Sequence, residues 1–328
     1  MMSAGAAVAV RKISLDIDAG HAAPNGCSRV AADLFAPVGF DLDPLLWVCV
    51  PGGGLNRQCF DLEVTGDEDN TYSMARALAA GGNLVMTVDP PGVGESDTPN
   101  DGYALSPECV SDVIAAVVET LVARLNRGKV APMGTVAPRA VFGVGHSAGA
   151  LLVAYQQARH GSYDALGLLG FSACGLPEVL NDEERRYTDR PEEFAEVRAN
   201  LTRARFGDAL PMWANSSAGE SGARSNTVEI DAALARATSK LLALVGMTAI
   251  VPGSVQPHLD RLRVPIFAAL GERDLAGTLD VLPNQFANCG DLTLFLLEGA
   301  GHIHNIAVNR RVLWRRLMRW AECLQGQS

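Results

Sequence analysis

Short apolar runs that end at glycine or proline turns constrain the fold of this chain most strongly. Leu45–Val50 is an uninterrupted apolar run that ends at Pro51 and three glycines. Such a run is typical of a strand that is covered on both faces. Other predicted strands cover Ile13–Asp18, Arg29–Phe35, Asn83–Val88, Ala140–Val144, Ala165–Phe171, Val264–Leu270 and Leu292–Leu297. We expect these strands to form one sheet.

The clearest helix pattern lies between two of these strands. Ser106 can cap a helix, Pro107 suits its first position and Glu108 favours its positive end. Apolar residues then recur from Val110 to Leu125 at spacings of three and four, which makes one apolar stripe. Other predicted helices cover Thr71–Ala80, Ala150–Arg159 and Asn305–Leu324. Strands that alternate with helices predict an α/β fold with a doubly wound, mostly parallel sheet.

The alternation stops between the predicted strands that end at Phe171 and begin at Val264. Two charged, helix-prone segments, Glu178–Phe206 and Val228–Val245, are separated there by a stretch rich in Gly, Ser and Asn. We interpret this region as an inserted helical lobe. The predicted parts of the chain are an N-terminal extension with the first strand, a core in two pieces and the lobe: residues 1–28, 29–171 with 263–328, and 172–262.

Charge and composition narrow the range of partners. The 328 residues carry a formal net charge of -10 at pH 7, which would repel phosphate backbones and anionic lipid surfaces. No apolar run approaches the roughly 20 residues that span a bilayer, and Arg11 and Lys12 follow the first apolar stretch, whereas in a secretory signal basic residues precede it. We therefore expect neither nucleic acid nor a membrane as a partner.

The seven cysteines are scattered along the chain and include no C-x-x-C pair. Such spacing indicates free thiols rather than a disulfide framework or a metal site. We therefore expect a cytoplasmic protein. No metal cluster, dinucleotide motif or P-loop is present in the sequence, so we expect no cofactor.

One pentapeptide points to chemistry. Gly145-His146-Ser147-Ala148-Gly149 lies between a predicted strand and a predicted helix, where a tight turn would project the serine hydroxyl. A serine hydroxyl is a weak nucleophile until an imidazole accepts its proton, and a carboxylate then orients that imidazole. The motif predicts Ser147 as a nucleophile, and the alternative is a glycine-rich turn with an idle serine.

Four further segments follow predicted strands in a suggestive order. They are Pro51-Gly52-Gly53-Gly54, Asp89-Pro90-Pro91-Gly92-Val93-Gly94-Glu95-Ser96, Gly271-Glu272-Arg273-Asp274 and Gly299-Ala300-Gly301-His302. Together with the serine pentapeptide, these segments resemble the α/β-hydrolase superfamily from about Val30 to the end of the chain. In that superfamily the D-x-x-G-x-G-x-S segment is structural, and the inserted lobe resembles the cap that shapes the substrate cavity.

The resemblance implies a catalytic triad of Ser147, Asp274 and His302. Glu272 on the same loop and Glu178 beyond the sixth strand are the alternative acids. The resemblance also implies an oxyanion hole, formed by backbone N–H groups.

By position in the family's motifs, the oxyanion donors would be Gly53 and Ala148. Pro51 replaces the histidine that commonly begins this loop, which removes a side-chain hydrogen bond but leaves the backbone donors.

Three histidines compete for roles near the serine. His302 and His304 both follow the candidate acid closely enough to lie on the last loop, and we prefer His302 as the base. His304 would then be a pocket residue or the start of a helix. His146 would point to the opposite side of the turn, where a structural hydrogen bond is the simpler role. The residues predicted to contact substrate are Gly54, His146, Phe206, Met212, Trp213 and His304.

The leading functional prediction is hydrolysis of a carboxylic ester or lactone in a hydrophobic small molecule. Epoxide hydrolases and haloalkane dehalogenases of this fold need a carboxylate where Ser147 stands, so they are excluded. An aminopeptidase of proline-iminopeptidase type, a C–C bond hydrolase and a non-catalytic ligand-binding protein stay open, as does a homo-oligomer. The length and lobe placement also resemble a bacterial zearalenone-type lactonase, which would open a macrocyclic resorcylic lactone.

Overall fold

A computed structural model describes residues 8–24, 26–39, 43–207 and 228–326. Its central feature is one sheet of eight strands. The strands are β1 (Val10–Asp18), β2 (Arg29–Pro37), β3 (Leu45–Val50), β4 (Leu84–Val88), β5 (Ala140–His146), β6 (Ala165–Leu169), β7 (Ile266–Arg273) and β8 (Leu292–Gly301). Every strand predicted from the sequence is present, with ends that differ by a few residues.

The described residues contain ten α-helices. They are α1 (Met74–Ala80), α2 (Pro107–Asn126), α3 (Ala148–His160), α4 (Asp182–Arg185), α5 (Pro191–Phe206), α6 (Val228–Arg236), α7 (Ala243–Ile250), α8 (Gln256–Leu259), α9 (Leu282–Gln285) and α10 (Arg310–Gln325). Helices α4 to α8 lie between β6 and β7 in the sequence. No helix in the described parts of the chain is long and apolar enough to cross a membrane.

The strand order β1-β2-β4-β3-β5-β6-β7-β8 brings the functional loops to one edge of the sheet. The β1–β2 and β2–β4 pairs are antiparallel, and the other neighbours are parallel. In register, Val50 pairs with Gly145 and Leu169 pairs with both His146 and Ala269. The loops after these strands therefore begin side by side. The α/β-hydrolase fold with a mostly parallel sheet is confirmed.

Two apolar clusters cover the opposite faces of the sheet. Leu46 and Val48 of β3 pack with α2 and α3, while Trp47 and Cys49 of the same strand pack with α1 and α10. Alternate residues of a strand face opposite sides, so an uninterrupted apolar run such as β3 is buried on both. A third cluster, which includes Phe194 and other residues of α5 and α7, lies between β6 and β7 in the sequence.

Local hydrogen bonds set the ends of the predicted helices. Ser106 Oγ accepts the Cys109 N–H at 3.2 Å, and Pro107 begins α2, as predicted. The helix predicted from Thr71 begins instead at Met74, because Ser73 Oγ accepts the Arg76 N–H at 3.0 Å and caps it there.

The segment Val228–Val245, predicted to be helix-prone, contains helix α6 and the start of α7, which are joined by residues 237–242. The joining segment pairs with the glycine loop after β3 instead of closing helical turns. Ser239 donates its N–H to the Gly54 carbonyl oxygen at 2.8 Å, and Asn56 donates to the Ala237 carbonyl oxygen at 2.8 Å. Backbone groups that pair across to another loop cannot also continue a helix.

Candidate active site

Ser147 occupies a strained turn between β5 and α3. Its backbone lies at φ 53° and ψ -121°, a conformation that a residue with a side chain adopts at a cost of about 1–3 kcal/mol. Glycine is required on both sides of the turn. A Cβ at Gly145 would lie 2.3 Å from the Ala150 nitrogen, and one at Gly149 would lie 2.2 Å from the Val50 carbonyl oxygen. The glycines of the pentapeptide therefore allow α3 to pack directly against β3.

Ser147, His302 and Asp274 form a continuous hydrogen-bonded line. His302 Nε2 lies 2.9 Å from Ser147 Oγ, and His302 Nδ1 lies 2.7 Å from Asp274 Oδ1. Because an ionised carboxylate can only accept, the Nδ1–H donates to Asp274 and the Nε2 lone pair is left to accept the serine O–H. Ser147 is half-buried, and the side chains of His302 and Asp274 are buried.

Asp274 is held as an ionised acceptor. Its side chain also accepts the N–H of Gly271 and of Ala276, each at 3.0 Å. Burial, the largest influence, raises the pKa of Asp274, but the hydrogen bond and charge interaction with His302 and the amide donor of Ala276 together bring the pKa below its usual range. Asp274 therefore stays negative near neutral pH and can stabilise an imidazolium at His302.

The alternative acids lie elsewhere. Glu272 is exposed, and its Oε2 accepts the Gly299 N–H at 2.8 Å. Glu178 is exposed in a short 3₁₀ helix, Pro177–Val179. Asp274 is the carboxylate that contacts the His302 ring in the described structure.

His146 and His304 lie behind His302, so the prediction that they contact substrate is wrong for this arrangement. His146 Nε2–H and His304 Nδ1–H both donate to the His302 carbonyl oxygen, each at 2.9 Å. His146 is 2% exposed and His304 is 0% exposed, which leaves no surface for a ligand. The structural hydrogen bond expected of His146 is present. The two rings hold the backbone of His302 from behind.

Gly170 makes room for this group of imidazoles. It follows β6 at φ 63°, and a Cβ there would lie 3.2 Å from His302 Cε1 and 3.3 Å from His304 Cε1. On the other side, a Cβ at Gly52 would lie 2.7 Å from His146 Nδ1. His146 thus fills the space between the glycine loop and the histidine loop. Within the described residues, no group of three or more metal-ligating side chains could hold a metal ion.

Both buried histidines are neutral near pH 7. Burial lowers the pKa of His304 to about 4, and burial together with the nearby His302 and His304 lowers the pKa of His146 to about 3. Among the described residues, His146 Nδ1 and His304 Nε2 have no hydrogen-bond partner, which agrees with unprotonated nitrogens at these positions. A proton on either ring would be a buried charge beside His302.

We predict that His304 makes the protein less stable in mild acid. The pKa of His304 is about 4 in the folded protein, whereas that of an ordinary histidine is 6.5. Between these two pH values the unfolded chain binds a proton at His304 and the folded chain does not. The stability contributed by neutral His304 is fully present above pH 6.5 and is lost as the pH falls toward 4. The free energy of unfolding should therefore decrease by about 2 kcal/mol between pH 6.5 and 5. Urea unfolding at several pH values measures the slope.

His304→Asn is the matched variant for that prediction, since an amide nitrogen can replace the Nδ1–H donor but does not titrate. The free energy of unfolding of His304→Asn should depend less steeply on pH over this window than that of the wild type. Equal slopes would mean that His304 is not held neutral by the fold.

The glycine loop after β3 presents an accessible backbone edge beside Ser147. Gly53 is exposed, whereas Gly52 and Gly54 are buried. Ala148 begins α3, and a Cβ at Gly53 would lie 3.5 Å from the Ala148 Cβ. The two residues predicted as oxyanion donors are therefore neighbours. Gly54, predicted as a substrate contact, lines a small cavity next to them.

A buried arginine that the sequence analysis did not single out fixes this loop. Arg57 follows it, and its backbone N–H donates to Asp89 Oδ1 at 2.7 Å, while its guanidinium pairs with Asp33, Asp89 and Glu95. A Cβ at Gly94 would lie 2.1 Å from Asp89 Oδ2. The D-x-x-G-x-G-x-S segment is thus the partner that anchors Arg57. Its signal in the sequence was an arginine three positions after the last glycine of the loop.

Three aromatic or sulfur-containing residues were predicted to face substrate, and the structure describes one of them. Phe206 ends α5 and packs partly buried against the cluster that includes Phe194 and Met247, so the structure places it in the helical segment's own core. Met212 and Trp213 lie outside the described residues. Leu241, which was not predicted, packs over Gly53: a Cβ on that glycine would lie 2.8 Å from Leu241 Cδ1.

The comparisons with known proteins agree with the fold and with the motifs. The sequence profile described as "Alpha/beta hydrolase family" matches residues 47–313. This span includes the serine turn, the glycine loop, the acid loop and His302, and the chain belongs to this family. A comparison with curated protein sequences gave no match.

Three solved structures illustrate the likeness. The enol-lactonase from Burkholderia xenovorans LB400 is 16% identical, with TM-score 0.57 over 91% of this chain and 98% of that chain. The esterase EaEST from Exiguobacterium antarcticum is 15% identical, with TM-score 0.62 over 94% and 100%. A bromoperoxidase from Bacillus anthracis is 16% identical, with TM-score 0.59 over 94% and 100%. At such identities the likeness shows the shared fold and leaves the reaction to be argued from the site.

Proposed function

We propose that this protein is a serine hydrolase that cleaves a carboxylic ester or lactone of a hydrophobic small molecule. The observation that carries the proposal is the hydrogen-bonded line from Asp274 through His302 to Ser147. It ends at a strained turn beside the exposed backbone of Gly53. This arrangement supports a role for these side chains in acyl transfer.

In the proposed reaction, Ser147 Oγ attacks the substrate carbonyl carbon while its proton passes to His302 Nε2. The N–H groups of Gly53 and Ala148 stabilise the oxyanion that develops, each by on the order of 3 kcal/mol. His302 then gives the proton to the leaving alcohol, and Asp274 stabilises the transient imidazolium. Water attacks the acyl-enzyme with His302 as base, which releases the acid and restores Ser147.

The alternatives have weaker support. An aminopeptidase or a C–C bond hydrolase would use the same three side chains, but no described residue favours a substrate ammonium or a carbanion over an ester. A non-catalytic role would leave the strained serine turn without a reason. No feature of the described structure or of the three solved structures supports zearalenone-type specificity, so we assign no macrocyclic substrate.

We also propose a reducing, cytoplasmic compartment, supported by the seven cysteines. All seven are free thiols, and Cys27, Cys49 and Cys59 are buried. The partner we propose is the small-molecule substrate.

A substrate panel tests the proposed reaction. The wild-type protein is assayed with p-nitrophenyl esters, simple lactones, a macrocyclic resorcylic lactone and proline p-nitroanilide, with Ser147→Ala as the matched background control. We expect ester or lactone turnover by the wild type and none above background by the variant. Turnover of the anilide alone would favour the aminopeptidase, and turnover of no compound in the panel would contradict the proposal.

A further inference from the structure

We infer that Leu241 closes a small acyl pocket beside the glycine loop and restricts this protein to esters of short acids. The inference rests on the proposed function and adds its substrate class. It comes from a cavity that adjoins Gly53 and Ala148 and that the sequence analysis did not anticipate.

The cavity lies between the glycine loop and the segment that joins α6 to α7. Its volume is ≈ 20 Å³, which is on the scale of the roughly 10–15 Å³ that holds a single water molecule. It therefore has room for one or two methyl-sized groups. Besides the glycines of the loop, it is lined by Lys240 and by the apolar residues Pro51, Leu55, Pro90, Val93, Ala148, Leu152, Leu241, Leu242 and Val245.

The position of the cavity assigns it to the acyl group. His302 must protonate the leaving alcohol, so the alcohol has to lie on the side of His302 Nε2. None of the cavity's lining residues belongs to the acid loop or to the histidine loop. The lining includes both proposed oxyanion donors, Gly53 and Ala148. A substrate whose carbonyl oxygen lies between those donors and whose alcohol lies at His302 directs its acyl chain into this cavity.

Leu241 is the lining residue best placed to set the length of that chain. Among the apolar side chains that line the cavity in the described structure, Leu241 is the one only partly buried. Its Cδ1 lies over Gly53, where an added Cβ would approach to 2.8 Å. It therefore stands between the proposed oxyanion site and the solvent, and truncating it removes little of the core.

The backbone that leads to Leu241 is held against the glycine loop and its neighbours. Ser239 donates its N–H to the Gly54 carbonyl oxygen at 2.8 Å, and Ser239 Oγ accepts the Gly94 N–H at 2.8 Å. Thr238 forms an antiparallel bridge with Leu55. These contacts hold Leu241 over the same glycine loop that would bind the substrate carbonyl.

The test compares p-nitrophenyl acetate, butyrate and hexanoate, which share one leaving group, in the wild type and in Leu241→Ala. We expect the wild-type kcat/KM to fall at least tenfold from acetate to hexanoate, and Leu241→Ala to raise the hexanoate-to-acetate ratio at least tenfold. A few methylene groups in a hydrophobic pocket discriminate by about 10–200-fold. Leu241→Phe, which narrows the cavity, should shift the butyrate-to-acetate ratio in the opposite direction.

The matched control is Leu296→Ala, which removes the same atoms from a leucine on β8 that is 46% exposed and does not line the cavity. It should keep the wild-type acyl ratios. In a second series of acetate esters with different alcohols, Leu241→Ala should leave the kcat/KM ratios between the esters unchanged.

If the protein hydrolyses esters but neither Leu241 variant changes the kcat/KM ratios between acyl lengths, the inference is overturned and the proposed function stays intact. A Leu241→Ala response confined to the alcohol series would overturn it too, because the cavity would then hold the alcohol. Absence of turnover with every ester by the wild type would instead count against the proposed function itself.

Discussion

Replacing Ser147 with alanine is expected to lower kcat for ester hydrolysis by about 10⁴–10⁶-fold. The variant keeps His302 and Asp274 but offers no oxygen to attack the carbonyl carbon, so the acyl-enzyme cannot form. Steady-state kinetics on the best ester of the panel measures the loss, with enzyme concentration raised to reach the residual rate.

The fold should survive this substitution. Alanine keeps the same positive φ as Ser147, so the backbone strain is unchanged, and only one hydrogen bond to His302 is lost. The thermal midpoint should therefore stay within a few degrees of the wild type, since about 1 kcal/mol shifts the midpoint of a large domain by roughly 2–4 °C. Undiminished turnover by a fully substituted sample would show that another group is the nucleophile.

Asp274→Asn is expected to lower kcat by about 10⁴-fold. Asp274 accepts the His302 Nδ1–H, and this fixes the tautomer in which Nε2 can receive the serine proton. An asparagine amide can donate to Nδ1 and favour the other tautomer, in which Nε2 carries a proton and cannot act as the base. The loss should appear in kcat across the accessible pH range.

Glu272→Gln is the control for that variant, because it removes a carboxylate from the same loop. Glu272 is exposed and accepts the Gly299 N–H, a bond that glutamine can also accept. Its kcat should stay within a few fold of the wild type. The reverse order, with Glu272→Gln the more damaging change, would move the acid to Glu272 and contradict the hydrogen bonding described above.

The sheet and its loops could be predicted because local sequence signals agree with long-range packing. Strand β3 is apolar at every position since it is buried on both faces, and α2 carries its cap, its proline and one apolar stripe. Gly145 and Gly149 mark the turn because a side chain there would collide with the neighbouring backbone. Each of these signals lies within a short, continuous stretch of the sequence.

Other parts of the site depend on contacts that no short segment contains. The course of residues 237–242 is set by Gly54 and Asn56, which lie far away in the sequence, so the helix-prone pattern does not reveal the break between α6 and α7. His304 was predicted to contact substrate because it lies on the loop after the last strand, yet its ring turns inward to the His302 carbonyl oxygen. Leu241 has no signal of its own, since its role comes from the glycine it covers.

The central claim is that Ser147 is an activated nucleophile, and labelling of the wild-type protein with a fluorophosphonate probe tests it most directly. Peptide mass spectrometry then locates the label, and His302→Ala serves as the variant that lacks the base. We predict one equivalent of label on Ser147 in the wild type and far slower labelling in His302→Ala. Folded wild-type protein that takes up no label, or takes it up at another serine while Ser147 stays unmodified, would contradict the claim.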